Sequence, residues 1–172
     1  KRMQEEGMTD KNELQGYLVR HIEKFLRERG KTVIGWDEIV ETGLPEQAVV
    51  MSWRGTPGGI KASSEGHDVI MSPNSYVYLD YYQDLIRKEP KAVGHMQSLR
   101  HVYKYDPLDG IDPEYHHHIL GLQGNLWCEL IPYPAHAEYM LYPRAFAIAE
   151  IGWTPQEKRA FSHSRARCLT LI

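Results

Sequence analysis

Trp36, Trp53 and Trp127 each close a short apolar run and are followed by polar residues: Trp36-Asp37-Glu38, Trp53-Arg54-Gly55 and Trp127-Cys128-Glu129. An indole offers a flat apolar face with a single N–H donor. Four carboxylates, Asp37, Glu38, Asp80 and Glu129, stand beside these indoles or in the aromatic stretch Tyr76-Val77-Tyr78-Leu79-Asp80-Tyr81-Tyr82. Carboxylates accept paired hydrogen bonds from neighbouring hydroxyls. Indoles for the C–H face of a pyranose ring and carboxylates for its hydroxyls together point to a sugar site or a glycosidase centre. Plainer readings exist residue by residue. A single Trp can simply plug the end of a barrel. Asp37 and Glu38 can cap a helix start, where negative charge is favoured. Three Trp residues at equivalent positions favour the site. For Asp37 and Glu38 the two readings stay level, and Asp80 and Glu129 are less easily explained as caps.

Other chemistries find little footing. His116-His117-His118 is an internal run, and adjacent residues of an extended segment point to opposite faces. One metal is therefore not readily held by all three, and no metal site is assigned. His95, His101 and His136 are scattered and read as ordinary. No Gly-x-Ser-x-Gly elbow is present, and no glycine-rich phosphate loop. Two cysteines, Cys128 and Cys168, exclude a disulfide-rich scaffold and a four-cysteine zinc site. No metal or organic cofactor is expected. A net charge of −3 argues against a nucleic-acid partner, which calls for a basic face. No apolar run approaches the ~18 residues that a membrane span needs. The 172 residues, 42% hydrophobic and 25% charged, suit one ordinary globular domain. Eleven Tyr and four Trp against three Phe favour aromatic rings that carry a polar handle. The chain opens without Met or a charged-then-apolar leader, and it reads as a piece of a longer protein.

The elements that must position these residues follow from periodicity. Residues 10–29 form an amphipathic helix pattern, with Leu14, Tyr17, Leu18, Ile22, Phe25 and Leu26 on one face. Asp10 and Glu13 suggest a capping box and Gly30 a stop. Buried strands are predicted at 32–36, 48–53, 68–72 and 119–127. Only a short helix fits at 58–66. Residues 83–118 form a long insert, helical at 84–88 and otherwise loop with short helical turns. Residues 135–151 predict one strong helix. Strand, connection, strand with apolar strands is the pattern of a parallel sheet covered by helices, whose strand carboxyl ends carry the site. The fold class is thus α/β, and four strands are half of an eight-stranded barrel.

Five segments together resemble the C-terminal half of the catalytic barrel of glycoside hydrolase family 20, the β-N-acetylhexosaminidases. They are Gly35-Trp36-Asp37-Glu38, Ser52-Trp53-Arg54-Gly55, the stretch from Tyr76 to Tyr82, Gly121-Leu122-Gln123-Gly124-Asn125-Leu126-Trp127-Cys128-Glu129, and the segment from Pro143 to Trp153. The resemblance covers residues 1–160 as part of a (β/α)8 TIM barrel, roughly strands 5–8 with their helices. Residues 161–172 are a C-terminal tail that could be helical. It implies a retaining exo-enzyme that removes terminal β-linked N-acetylglucosamine or N-acetylgalactosamine, with the sugar's own 2-acetamido group as nucleophile. Trp36, Trp53 and Trp127 would enclose the sugar. Tyr78 would hydrogen-bond the acetamide oxygen, and Asp80 and Glu129 would bind ring hydroxyls. Glu150 and Trp153 would be structural. The family's adjacent catalytic Asp-Glu pair precedes the first helix and is absent here. Asp37-Glu38 lies one strand later and is not that pair, so the fragment alone is expected to be inactive.

The expected partner is an N-acetylhexosamine-terminated glycan or glycoconjugate, with no nucleic acid and no membrane. A homo-oligomer is expected to cover the open edges of a half barrel, and the family's habits suggest a periplasmic, secreted or lysosomal home. An alternative is a non-catalytic carbohydrate-binding module. A third reading uses two of Asp37, Glu38, Asp80 and Glu129 as a glycosidase pair, which needs ~5–5.5 Å between carboxyls for retention or ~6.5–9.5 Å for inversion.

Overall fold

A computed structural model describes residues 1–162 of the chain. Most of the tail, with Cys168, lies outside the described residues. The described chain forms two compact units. The first comprises Lys1–Met71 and Gly110–Leu120, and the second Ser72–Asp109 and the chain from Gly121 onward.

In the first unit, β1 (Ile34–Trp36), β2 (Val49–Ser52) and β3 (Val69–Met71) run parallel. Trp36 stands opposite Met51, and Ser52 opposite Met71. The strand β6 (Ile119–Leu122) completes a sheet ordered β1-β2-β3-β6. Val50, Val69 and Met71 are fully buried, as apolar strands of a covered parallel sheet must be. The first two helices of the chain are the short α1 (Arg2–Glu5) and the long α2 (Lys11–Arg27). Helix α3 (Pro57–Ser64), with proline in its first turn, lies over β2 and β3. A Cβ on Gly59 would come 2.6 Å from Met71 Sδ and 3.3 Å from Ser52 Cβ, so only glycine lets the helix lie this close.

At the start of α2, Asp10 accepts from the Asn12 N–H at 3.2 Å. Glu13 reaches back to the N–H and hydroxyl of Thr9, both at 3.2 Å. The capping box thus closes one residue earlier than Asp10. The apolar face predicted for this helix is present in sequence but not covered: Leu18, Ile22 and Phe25 are exposed, and only Gly16 and Glu23 are buried.

The second unit departs more from expectation. The fourth strand stops at Leu122 rather than continuing to Trp127. Beyond it a single parallel bridge joins Asn125 to Tyr78, with Asn125 N–H donating to Val77 O at 2.9 Å and Leu79 N–H to Asn125 O at 2.6 Å. The insert holds a parallel pair, β4 (Tyr81–Tyr82) and β5 (Val93–Met96), and the helix α4 (Leu99–Tyr103), capped by Ser98. The sequence pattern predicts neither strand, but α4 falls where short helical turns are expected and a 3-10 turn, Ile86–Lys88, lies within the helix expected at 84–88. The helix predicted at 135–151 is two, α5 (Pro134–Leu141) and α6 (Arg144–Trp153). Pro143 separates them, because proline lacks the N–H that a continuing helix needs and restricts the residue before it. Val102, Tyr103 and Ala147 form the buried cluster between α4 and α6, with Leu99, Ile148 and Phe161 packed on it. No helix among the described residues is long and apolar enough to cross a membrane.

Candidate functional site

The expected site residues fall into two groups, one in each unit. In the first unit, Trp36 ends β1 and Trp53 follows β2, the neighbouring parallel strand. The chain after Trp36 turns directly into a 3-10 helix, Asp37–Glu41. Neither acidic side chain caps that turn. Asp37, 2% exposed, instead reaches to the next strand's end. Its Oδ2 accepts the backbone N–H of Trp53 at 3.0 Å and of Arg54 at 3.1 Å, and its Oδ1 accepts from Arg54 Nε at 2.6 Å. Arg54 also pairs with Glu41 at 2.7 Å. These carboxylates, Asp37 foremost, hold the Arg54 guanidinium above its ordinary pKa. Both oxygens of Glu38 accept the indole N–H of Trp53, each at 3.1 Å. Asp37 and Glu38 are therefore engaged in holding Trp53 and Arg54, which speaks against their use as a glycosidase acid and nucleophile.

The second unit gathers Tyr78, Asp80, Trp127 and Glu129. The Tyr78 and Trp127 rings lie 6.5 Å apart between centroids, and Tyr81 meets Tyr78 edge-on at 5.7 Å. Burial raises the Tyr78 pKa, while hydrogen bonds from the Trp127 and Asn125 side chains act in the opposite direction. The phenol thus stays protonated near neutrality and can donate. Asp80 is buried, and the backbone N–H groups of Trp127 and of Asp80 itself donate to its carboxylate. Its Oδ1 has no hydrogen-bond partner among the described residues. Desolvation, and secondarily the charge of Glu129, raises its pKa. Glu129 and Trp127 are themselves exposed.

Three supporting residues escaped the sequence reading. Arg144 is fully buried, and its guanidinium donates to Leu79 O at 2.6 Å and Tyr81 O at 2.9 Å, the carbonyls on either side of Asp80. It also reaches Gln97 O at 3.2 Å and Met140 O at 2.7 Å. Burial lowers its pKa to about 10, which still leaves it a cation at neutral pH. An Arg opening a mostly apolar helix is the available signal. Behind Tyr78, Asn125 Nδ2 donates to Ser72 Oγ at 2.7 Å, and Ser72 Oγ donates to Gln123 O at 2.9 Å.

The histidine run does not gather. His116 Nε2 lies 2.9 Å from the Ile111 carbonyl and His118 Nδ1 3.1 Å from Asp68 Oδ1. Among the described residues no three His, Cys, Asp or Glu side chains group to hold a metal. Glu150 has the structural contact expected, accepting from the Tyr103 hydroxyl at 2.9 Å. Trp153 does not, being 91% exposed.

Residues 1–156 match the model of a family described as glycosyl hydrolase family 20, catalytic domain. A β-hexosaminidase of Porphyromonas gingivalis is 47% identical over 164 residues, covering 94% of this chain and 21% of that protein. A β-hexosaminidase of Vibrio furnissii is 38% identical, covering 87% of this chain and 25% of that protein. The crystal structure of an exo-β-N-acetylglucosaminidase from Vibrio harveyi, in complex with N-acetylglucosamine, matches with a TM-score of 0.84 at 34% identity. The match covers 98% of this chain and 28% of that one. The α/β class and the assignment to part of a barrel stand on these structural likenesses. The chain spans about a fifth to a quarter of the length of these curated relatives.

Proposed function

The chain belongs to glycosyl hydrolase family 20, and on that premise we propose that it is the aromatic and hydroxyl-binding part of a retaining exo-β-N-acetylhexosaminidase. The observation that carries the reading is Asp80. A buried carboxylate oxygen without a partner is costly, and among the described residues Asp80 Oδ1 is one, set among Tyr78, Trp127 and Glu129. A sugar hydroxyl donating to it would remove that cost. Tyr78, kept protonated, donates to the acetamide oxygen and holds it near the anomeric carbon. The Trp127 indole supplies an apolar face for the sugar and Glu129 takes a further hydroxyl, while Trp36 and Trp53, in the first unit, offer indole faces of the same chemistry.

In the reaction the acetamide oxygen bonds to the anomeric carbon as the glycosidic C–O bond breaks. The departing oxygen takes a proton from a general acid, and water then opens the oxazolinium ring with retention. Neither Asp37 nor Glu38 is offered as that acid, because both are engaged with Trp53 and Arg54. The 172 residues by themselves are accordingly proposed to be inactive, since the general acid contributes orders of magnitude in rate. No observation favours a non-catalytic sugar-binding module.

The test is turnover of a chromogenic β-N-acetylglucosaminide by this chain and by the longer protein that contains it. Activity confined to the longer protein supports the reading. Turnover by the 172 residues alone would place the acid among Asp37, Glu38, Asp80 and Glu129 and overturn the assigned roles.

A further inference from the structure

We propose that Glu38 is a positioning residue, one that fixes the indole plane of Trp53 from the end of the neighbouring strand. The inference rests on the reading of Trp53 as an apolar face that meets sugar. An adjacent Asp-Glu pair beside aromatic residues looks like catalytic machinery, but the geometry gives these two carboxylates a different task. Asp37 holds the backbone of Trp53 through its N–H at 3.0 Å. Glu38 holds the far end of the same residue, both carboxylate oxygens lying 3.1 Å from the indole Nε1. The χ2 torsion of a Trp is broad and admits more than one ring setting. An ionic acceptor on the single indole donor selects one, and hydrogen bonds to charged acceptors are roughly twice as strong as neutral ones.

The turn that presents Glu38 is itself fixed. Ile39 and Val40 are buried beneath it, and Asp37 and Glu41 clamp Arg54 from either end of the turn. A Cβ at Gly58 would come 2.7 Å from Asp37 Cβ, so helix α3 also closes on the turn. Trp53 is half-buried, so part of its ring stays open while its N–H is held. A ring held at both ends can offer a fixed face to a sugar, and preorganised walls contribute to rate through orientation.

The test uses the full-length enzyme and measures kcat and KM on the chromogenic substrate for the wild type, Glu38→Ala, Glu38→Gln, Trp53→Phe and the Glu38→Ala/Trp53→Phe double variant. Thermal melts check folding. Glu38→Ala is expected to lose about tenfold or more in kcat/KM, the scale of a hydrogen bond to a charged group. Glu38→Gln keeps an acceptor and is expected to recover most of that loss. Trp53→Phe removes the N–H, and in its background Glu38→Ala is expected to have no further effect. A role in folding alone would add to the effect of Trp53→Phe. If Glu38→Ala does not fold, Glu38→Asp serves instead, since it keeps the charge but draws the carboxylate back by about 1.5 Å. Wild-type kcat/KM in a folded Glu38→Ala or Glu38→Asp, or an equal loss with and without the indole N–H, overturns the proposal. A full-length wild type with no turnover overturns the functional reading first and this role with it.

Discussion

At the scale of single residues, Asp80 and Arg144 are built together: the buried Arg144 guanidinium holds the carbonyls of Leu79 and Tyr81, on either side of Asp80. Trp, Asp and Glu at strand ends are conspicuous in the sequence because a core does not require them there. Arg144 and Asn125 are not, because their partners are backbone carbonyls and a hydroxyl distant in sequence. Asp80 yields the residue-scale prediction. Its pKa is raised mainly by desolvation, and sugar hydroxyls donating to the ionised carboxylate would lower it again in the complex. Binding therefore releases a proton. Affinity should be constant above the free enzyme's raised pKa and weaken as the pH falls through it, at a higher pH than an ordinary carboxylate would give. The same raised value acts on folding with the opposite sense: it withdraws stability as pH rises through that range. Measured as KM against pH in the full-length enzyme, the acid limb should disappear in Asp80→Asn, with a higher KM throughout. A limb that survives the substitution assigns it to another group.

At the scale of elements, periodicity located α2, β1, β2 and β3 because each repeats its apolar pattern over the whole element. It failed where geometry depends on partners far along the chain. The strand expected at 119–127 stops at Leu122, where Ser72 and Asn125 take over the hydrogen bonding. The pair β4–β5 carries no buried apolar run, since β5 is Val-Gly-His-Met and exposed along its length. The helix at 135–151 has a continuous apolar pattern, and only Pro143 discloses the break. The close approach of α2 to the turn after β1 was equally invisible, and it depends on Gly16. A Cβ there would meet the Thr42 carbonyl oxygen, a backbone atom that cannot swing aside, and Thr42 Cβ at 3.3 Å. Alanine in a helix is worth up to about 1 kcal/mol over glycine, but overpacking against fixed atoms costs about 1–3 kcal/mol. The clash should win. Gly16→Ala in the full-length protein is expected to lower the melting temperature by a few degrees. An unchanged or raised midpoint would show that the helix can shift away at no cost.

At the scale of the whole molecule, the apolar face that identified α2 in the sequence is the face the fold leaves open. Leu18, Ile22 and Phe25 are 54%, 42% and 52% exposed, on one side of a helix whose periodicity is that of a buried element. Scattered apolar residues on a surface call for no explanation, but a contiguous helical stripe does. Ile34 on β1, a terminal strand of the sheet, is 53% exposed as well, and unpaired strand edges invite association. We therefore expect the 172-residue chain by itself to associate with concentration in sedimentation velocity. A triple substitution, Leu18→Glu, Ile22→Lys and Phe25→Glu, should shift it toward monomer, because it removes the stripe without touching a buried side chain. If the remainder of the longer protein covers the same helix, that protein should show no such concentration dependence. The triple substitution should then lower its melting temperature instead. A monodisperse monomer from the 172 residues, unmoved by the substitution, would mean that the stripe drives no contact between copies.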